Sequence, residues 1–293
     1  MDGVIVVDKP AGWTSHDVVN KMRRIAGTKR VGHLGTLDPI ATGVLPLVIG
    51  RATRLAQFYT RSDKIYEGAV RFGWSTDSYD RAGAATSAQV QPQIDEHALE
   101  DYLEHFRGEF LQTPPPVSAK KVDGKRAYEL ARKSIVVELE PVKVHVHELT
   151  LLAWDGVTAR LRAHCSGGTY MRSIAHDLGQ LAGCGAHLEE LRRVASGEFE
   201  ISHARTIAQL ESLAADERLV DAFIPMSAMA PGIPIVFVDE ITEAQIRNGR
   251  NFQGSPFRAP MGTRYVKAVT RKEELIAIGE AVLPNLYHPV VVL

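Results

Sequence analysis

Scarcity sorts this chain of 293 residues before abundance does. Cysteine occurs only twice, at Cys165 and Cys184, each alone in its neighbourhood. Two isolated thiols exclude a disulfide framework and a paired-thiol metal site, and they suit a reducing cytosol. No apolar run approaches the roughly eighteen residues that a membrane span needs. The opening MDGVIVVDKP has neither the basic start nor the apolar core of a secretory signal. A cytoplasmic protein without a membrane anchor is therefore expected. The sequence also lacks HExxH, an Asp-rich calcium loop, GxGxxG after a strand, GxxxxGK[ST] and GxSxG, and its 11 histidines are scattered. No metal and no cofactor are expected from these spacings.

Net charge is nearly absent too: 34 Lys and Arg against 35 Asp and Glu give −1. The total conceals a strong segregation. Residues 1–60 carry eight basic and four acidic residues, whereas residues 89–111 carry one basic and six acidic. Residues 112–134 return to six basic against two acidic, and residues 208–243 fall to one against seven. Residues 244–272 then hold seven basic residues and no acid. Such segregation is either solvated surface or a polyanion footprint assembled from several basic segments. The length suits one large domain with a smaller appendage, and 45% apolar with 24% charged residues is ordinary for a globular chain.

Period and punctuation give the elements. Gly3–Val7 reads as a buried strand stopped by Lys9-Pro10. Thr14 and Asp17 form a capping box before an apolar stripe of Val18, Val19, Met22, Ile25 and Ala26, closed by Gly27. The stretch Val31–Pro46, VGHLGTLDPIATGVLP, follows no period and reads as one ordered loop between that capped helix and an apolar strand over Val44–Ile49, a kind of segment that usually carries function. Further on come a helix over Arg51–Tyr59, a strand over Ile65–Phe72 and an acidic helix over Asp95–Phe106. Pro114-Pro115-Pro116 then breaks regular structure, and a basic hairpin-helix arm over Val117–Ser134 is expected, its helix at Ala127–Lys133. Val142–Val146 and Val157–Cys165 alternate as half-buried antiparallel strands. Their polar face of Lys143, Arg160, Arg162 and histidines is a candidate floor for a binding groove. A helix over Thr169–Leu181 follows, then a linker over Pro225–Pro234 and a small β-rich module.

Among the side chains, Asp38 is the one carboxylate between Asp17 and Asp63, in a window with Lys29, Arg30, Arg51 and Arg54. On spacing alone it reads either as a turn-forming Asp before Pro39 or as a reactive carboxylate whose pKa the cations hold down. Tyr66 and Tyr170 have glycine or cationic neighbours, which suits a ring stacked on a base as well as core packing. Arg172 lies near a helix start, where the helix dipole disfavours a cation, so an anionic partner is expected.

Six ordered blocks carry a resemblance: GVIVVDKPAGWTSHDVV, GHLGTLDPIATGVLP, SDKIYEGAVRFGWSTDSYDRAG, PPPVSAKKVDGKRAYELAR, HCSGGTYMRSIAHDLG and GAHLEELRR. Together they resemble the TruB family of tRNA pseudouridine synthases, bacterial type. The resemblance implies an α+β pseudouridine-synthase fold with a mixed, mainly antiparallel central sheet flanked by helices, plus a small β-rich PUA-like C-terminal domain. It implies a catalytic domain over residues 1–231, with an RNA-contacting arm at about 112–136, and an RNA-binding domain over 232–293. The implied activity is isomerisation of uridine 55 in the T-loop of tRNA by base flipping. A monomer whose partner is the tRNA T-arm stem-loop is expected, and the alternative is a non-catalytic RNA-binding protein on the same scaffold. Position by position, the resemblance makes Asp38 the nucleophile and Arg172 its partner. It makes Tyr66 the ring stacked on the target base, also proposed as a general base. His33, Tyr170 and Leu191 become substrate contacts, and Lys9-Pro10 a motif packed beneath the site.

Overall fold

The computed structural model describes residues 1–117, 121–122, 125–126, 139–254 and 262–293. Alternating apolar residues build two sheets. The larger contains β1 (Gly3–Lys9), β2 (Val31–His33), β3 (Thr42–Ile49), β4 (Lys64–Phe72), β5 (Gly108–Gln112), β8 (Val142–Trp154), β9 (Thr158–Cys165), β10 (Ala186–Ser196) and β11 (Phe199–Glu200). Its main order is β1-β3-β10-β4-β9-β8-β5, with β2 on β3 and β11 on β10. All pairs are antiparallel except β3 with β10. The sheet is thus mixed and mainly antiparallel, as expected.

Helices cover it. α1 (Ser15–Ile25) begins at the Thr14 cap with both arms of the capping box made, and buries Val18, Val19 and Met22. α2 (Glu96–Glu104) buries Leu99 and Leu103. α3 (Met171–Leu181) buries Met171, Ile174, Ala175 and Leu178 in the core shared with β4 and β10. α4 (Ile207–Ala215) opens with a second capping box at Thr206. The helix expected over Arg51–Tyr59 is a 3₁₀-helix spanning Gly50–Tyr59.

Several expectations change. The stretch Val31–Pro46 is not one loop, because β2 and the start of β3 bracket it and only residues 34–41 lie outside strands. Three glycines and two prolines hid β2 and the first two residues of β3, whose remainder is the expected strand Val44–Ile49. In the arm, β6 (Lys121–Val122) pairs antiparallel with β7 (Lys125–Arg126), while the helix expected at Ala127–Lys133 lies outside the described residues. The polar face of β8 and β9 is not a basic floor, because Arg162 pairs with Glu67, Arg160 with Glu190 and Lys143 with Glu109.

The smaller sheet contains β12 (Ile235–Val238), β13 (Phe252–Gln253), β14 (Tyr265–Thr270), β15 (Leu275–Leu283) and β16 (Leu286–Val292), with α5 (Glu240–Arg247) against it. The expected linker is packed rather than loose: Met226 and Met229 are buried, and Lys267 donates to the carbonyls of Ser227 (2.9 Å) and Met229 (3.0 Å). Val269, Leu275, Ile278 and Val291 share one apolar core with Val4, Val6, Val44 and Val48 of the large sheet. The basic run 244–272 also divides. Lys267 is buried, Arg247 pairs with Glu243 and Arg264 with Glu280, leaving Arg250, Arg271 and Lys272 on the exposed surface among the described residues, outside which Arg258 lies.

One ladder row crosses the large sheet, and two of its residues, Tyr66 and Arg193, line a cleft. Lys9 pairs with Gly43, Gly43 with Arg193, Arg193 with Tyr66, and Tyr66 with Ala163. The parallel contact of β3 with β10 is so close that a Cβ on Gly43 would lie 2.2 Å from the Arg193 carbonyl oxygen, and Gly43 has φ +97°. Only glycine combines that approach with that backbone. Gly43→Ala is therefore expected to cost roughly 3 kcal/mol or more through strain and overpacking. A urea unfolding midpoint equal to that of the unsubstituted protein would contradict this.

Candidate active site

The loop of residues 34–41 is irregular in dihedrals yet pinned throughout. Leu34 N–H donates to Pro46 O (3.0 Å), and the Ser15 hydroxyl both donates to Leu37 O (3.1 Å) and accepts from Leu37 N–H (2.8 Å). Gly12 N–H donates to Pro39 O (2.8 Å). Ala41 N–H donates to Asp38 O (3.0 Å), closing a turn with Pro39 in its second position, where the fixed φ of proline fits. Asp38 is thus a turn former through its backbone, while its side chain remains available for chemistry.

Two buried cations brace this loop from beneath. Arg193, 1% exposed, donates to Val44 O (2.7 Å), Gly35 O (3.0 Å) and Thr36 O (3.4 Å). Lys9, fully buried, donates to Trp13 O (2.6 Å), Pro10 O (2.9 Å) and Pro39 O (3.5 Å). Burial lowers the Lys9 pKa to about 8, with the charge of Asp38 opposing and that of Arg193 reinforcing the shift. Lys64 is also buried, and burial with the charge of Arg193 brings it to about 8.

Arg172 is the anchor of the site and is 5% exposed. Its Nε lies 2.9 Å from Asp38 Oδ2, and one terminal nitrogen donates to Asp38 Oδ1 at 3.2 Å. That fork fixes the plane of the carboxylate as well as its position. The remaining donors reach Val117 O (2.9 Å) and Ser78 O (3.1 Å), and Asp80 Oδ2 lies 3.8 Å away. The anionic partner expected at this helix start is therefore Asp38, seconded by Asp80.

The expectation of a depressed Asp38 pKa is overturned. About a third of its side chain (36%) reaches solvent in the cleft, but the surrounding protein desolvates it and raises its pKa above the ordinary value. Arg172 opposes the shift and the charge of Asp80 adds to it. Desolvation wins because the cations seen in sequence are elsewhere: Arg51 pairs with Asp2, and Arg54 is exposed and donates to Val292 O.

A cleft of about 250 Å³ opens above these groups, lined by Asp38, Tyr66, Tyr170, Arg172 and Leu191, with Lys64, Thr169 and Arg193 among the rest. Burial raises the pKa of Tyr66, so its hydroxyl stays protonated at neutral pH. Tyr170 is held by Gln112, whose side chain accepts from its N–H (2.8 Å) and donates to its carbonyl (3.0 Å). Five of the six expected site residues thus converge. His33 does not line the cleft; its Nδ1 accepts from Gly35 N–H at 3.3 Å, at the loop entrance.

Three contributors escaped the sequence reading. Arg193 and Lys64 stand in the buried phase of their strands, beside Leu191 and Ala195 and beside Tyr66, and a cation in an apolar phase is the signal that finds them. Asp80 has no such signal. Its loop is set by Tyr79, at φ +64°, whose ring stacks on His176 at 3.7 Å and 7°, one turn beyond Arg172 on α3.

Comparison with known proteins identifies the family. The family model for the TruB family pseudouridylate synthase N-terminal domain matches residues 23–171. That for the tRNA pseudouridylate synthase B C-terminal domain matches residues 172–229. A tRNA pseudouridine synthase B of Solibacter usitatus is 75% identical over 293 residues, all of both chains. One of Aromatoleum aromaticum is 40% identical, covering 96% of this chain and 89% of its own. Among solved structures, a chain of a Cbf5–Nop10–Gar1 complex aligns with TM-score 0.73 and 28% identity over 97% of this chain and 79% of its own. A chain of an H/ACA RNP bound to a substrate RNA containing 2′-deoxyuridine aligns with TM-score 0.74 and 25% identity, over 99% of this chain and 84% of its own. The fold is that of an enzyme that makes pseudouridine. The chain belongs to the TruB family of pseudouridine synthases.

The buried ammonium of Lys9 generates a pH test. A folded pKa near 8 against an ordinary 10.5 means that holding the proton costs stability below about pH 8. That cost disappears as pH rises from about 8 towards 10.5, where only the unfolded chain keeps the proton. The stability of the native protein relative to Lys9→Met should therefore rise across that window. A stability difference that stays flat or falls in urea titrations would contradict it.

Proposed function

We propose that this enzyme converts uridine 55 in the T-loop of tRNA to pseudouridine, with Asp38 as nucleophile. The observation that carries the reading is the fork of Arg172 on Asp38 at the floor of a cleft walled by Tyr66. Isomerisation breaks N1–C1′, turns the base and makes C5–C1′, so atoms balance without a second substrate. An ionised carboxylate with a raised pKa is a better nucleophile than an ordinary one, and the fork keeps it aimed while charge develops. The target base lies within a folded loop and must be flipped out to reach the cleft. Tyr66 offers the face on which it stacks, a contact worth ~1–3 kcal/mol. With its hydroxyl protonated, Tyr66 serves first as a stacking surface and hydrogen-bond donor.

Phosphate contacts help offset the cost of flipping. Exposed Arg24, Lys29 and Arg30 lie at the end of α1 and just beyond it, and Arg250, Arg271 and Lys272 lie on the smaller sheet's module. In this reading residues 1–231 form the catalytic part, the arm at about 112–136 closes on the T-arm, and residues 232–293 add a second RNA surface. The enzyme works as a monomer in the cytoplasm, and His33 contacts the displaced nucleotides from the loop entrance.

Replacing Asp38 with Asn preserves shape and removes the nucleophile. Tritium release from tRNA labelled at C5 of uridine should fall by at least ~10³-fold, while tRNA binding survives. Undiminished release would sink the assignment.

A further inference from the structure

The outer face of the large sheet carries a cluster that pseudouridine formation does not use. His145 and His147 on β8 and His164 on β9 lie side by side, with ring centroids 4.4 Å apart for the first pair and 4.6 Å for the second. Asp63, the residue before β4, meets them: its Oδ2 is 3.1 Å from His147 Nε2 and 3.7 Å from His164 Nε2. One ligand atom from each of Asp63, His147 and His164 lies within 4.8 Å of the others. These positions are far apart in sequence, so no spacing announces the group.

The register explains the convergence. Val146 pairs with Cys165 and Glu148 with His164, so β8 has one extra residue, His147, at that point. The bulge sets His147 and Glu148 together against His164. Bulges recur where a side chain is re-aimed. Here the result is two imidazoles turning the same nitrogen towards one carboxylate oxygen. At 3.7 Å the His164 contact is too long for a hydrogen bond. Hydrogen bonding therefore accounts for one imidazole, while the other meets the carboxylate at ion-pair distance and packs on its neighbour's ring.

We propose that Asp63, His147 and His164 bind a divalent transition-metal ion of the zinc class. Two imidazole nitrogens and one carboxylate oxygen are the donor set that zinc, cobalt and nickel accept. Tetrahedral bonds of about 2.0–2.2 Å place donors roughly 3.4 Å apart, and the observed 3.1 and 3.7 Å bracket that separation. Three protein ligands leave a fourth position to water or an RNA phosphate. Tyr66 pairs with Ala163 and lines the cleft, whereas His164 pairs with Ile65 in the opposite phase, so the ion would sit across the sheet from the pair of Asp38 and Arg172.

The test uses the untagged full chain stripped with a chelator. Zn²⁺ is titrated by calorimetry and Co²⁺ by visible absorption, with His203→Ala as control. One ion per chain is expected, with Co²⁺ bands of a low-coordinate nitrogen–oxygen site. His147→Ala and His164→Ala, each verified as folded by circular dichroism, should weaken Zn²⁺ binding at least ~10-fold, since loss of even an outer partner costs that much. His203→Ala should bind as the unsubstituted chain does. No stoichiometric binding by the unsubstituted chain, or unchanged affinity in both histidine variants, would overturn the proposal.

Discussion

Everything at this site depends on one buried guanidinium. Arg172 cannot be left without a counter-charge in the core, because an unpaired buried ion costs several kcal/mol. The nearest answer is Asp38, which comes from a loop 134 residues away in sequence. The same guanidinium holds Ser78 O, Val117 O and the neighbourhood of Asp80, so one side chain ties the loop, the Asp80 turn and the base of the arm. A carboxylate held by a fork has its oxygens fixed in direction, and desolvation raises its basicity without displacing it.

The fork needs a rigid platform, which the ladder row supplies. Lys9, Gly43, Arg193 and Tyr66 sit on neighbouring strands in register, and the two cations bond loop carbonyls instead of acids. Buried ammonium and guanidinium groups are costly, but each here meets several carbonyl acceptors. Satisfying loop backbone with strand side chains lets a segment without secondary structure hold the Asp38 carboxylate still. Charge elsewhere follows a different logic. On the faces of β8 and β9, basic and acidic residues pair across strands, so a net of −1 reflects both local pairing and segregation.

Much of this was legible in the residues, and the exceptions share a cause. The capping box at Thr14, the alternation of β9 and the need of Arg172 for an anion are local facts, and the structure bears them out. The TruB blocks carried Asp38 beyond what spacing could. What escaped was set by pairing between segments and not by local pattern: the strand β2 within Val31–Pro46, the packed segment at Met226 and Met229, and the buried cations Lys64 and Arg193. The pKa of Asp38 was misjudged for the same reason. Sequence proximity to Arg51 and Arg54 said nothing about distance, while desolvation by the cleft could not be seen at all.

In the proposed reaction the cleft seats a flipped uridine facing Asp38. The most direct measurement is a crystal structure of the Asp38→Asn protein with a T-arm stem-loop. It should show the target nucleotide out of its stack, with its base against Tyr66. Its glycosidic linkage should lie within about 3–3.5 Å of the substituted side chain, the range of a near-attack geometry. A target uridine still stacked in the loop, or bound away from Tyr66 and the introduced amide, would contradict the assignment.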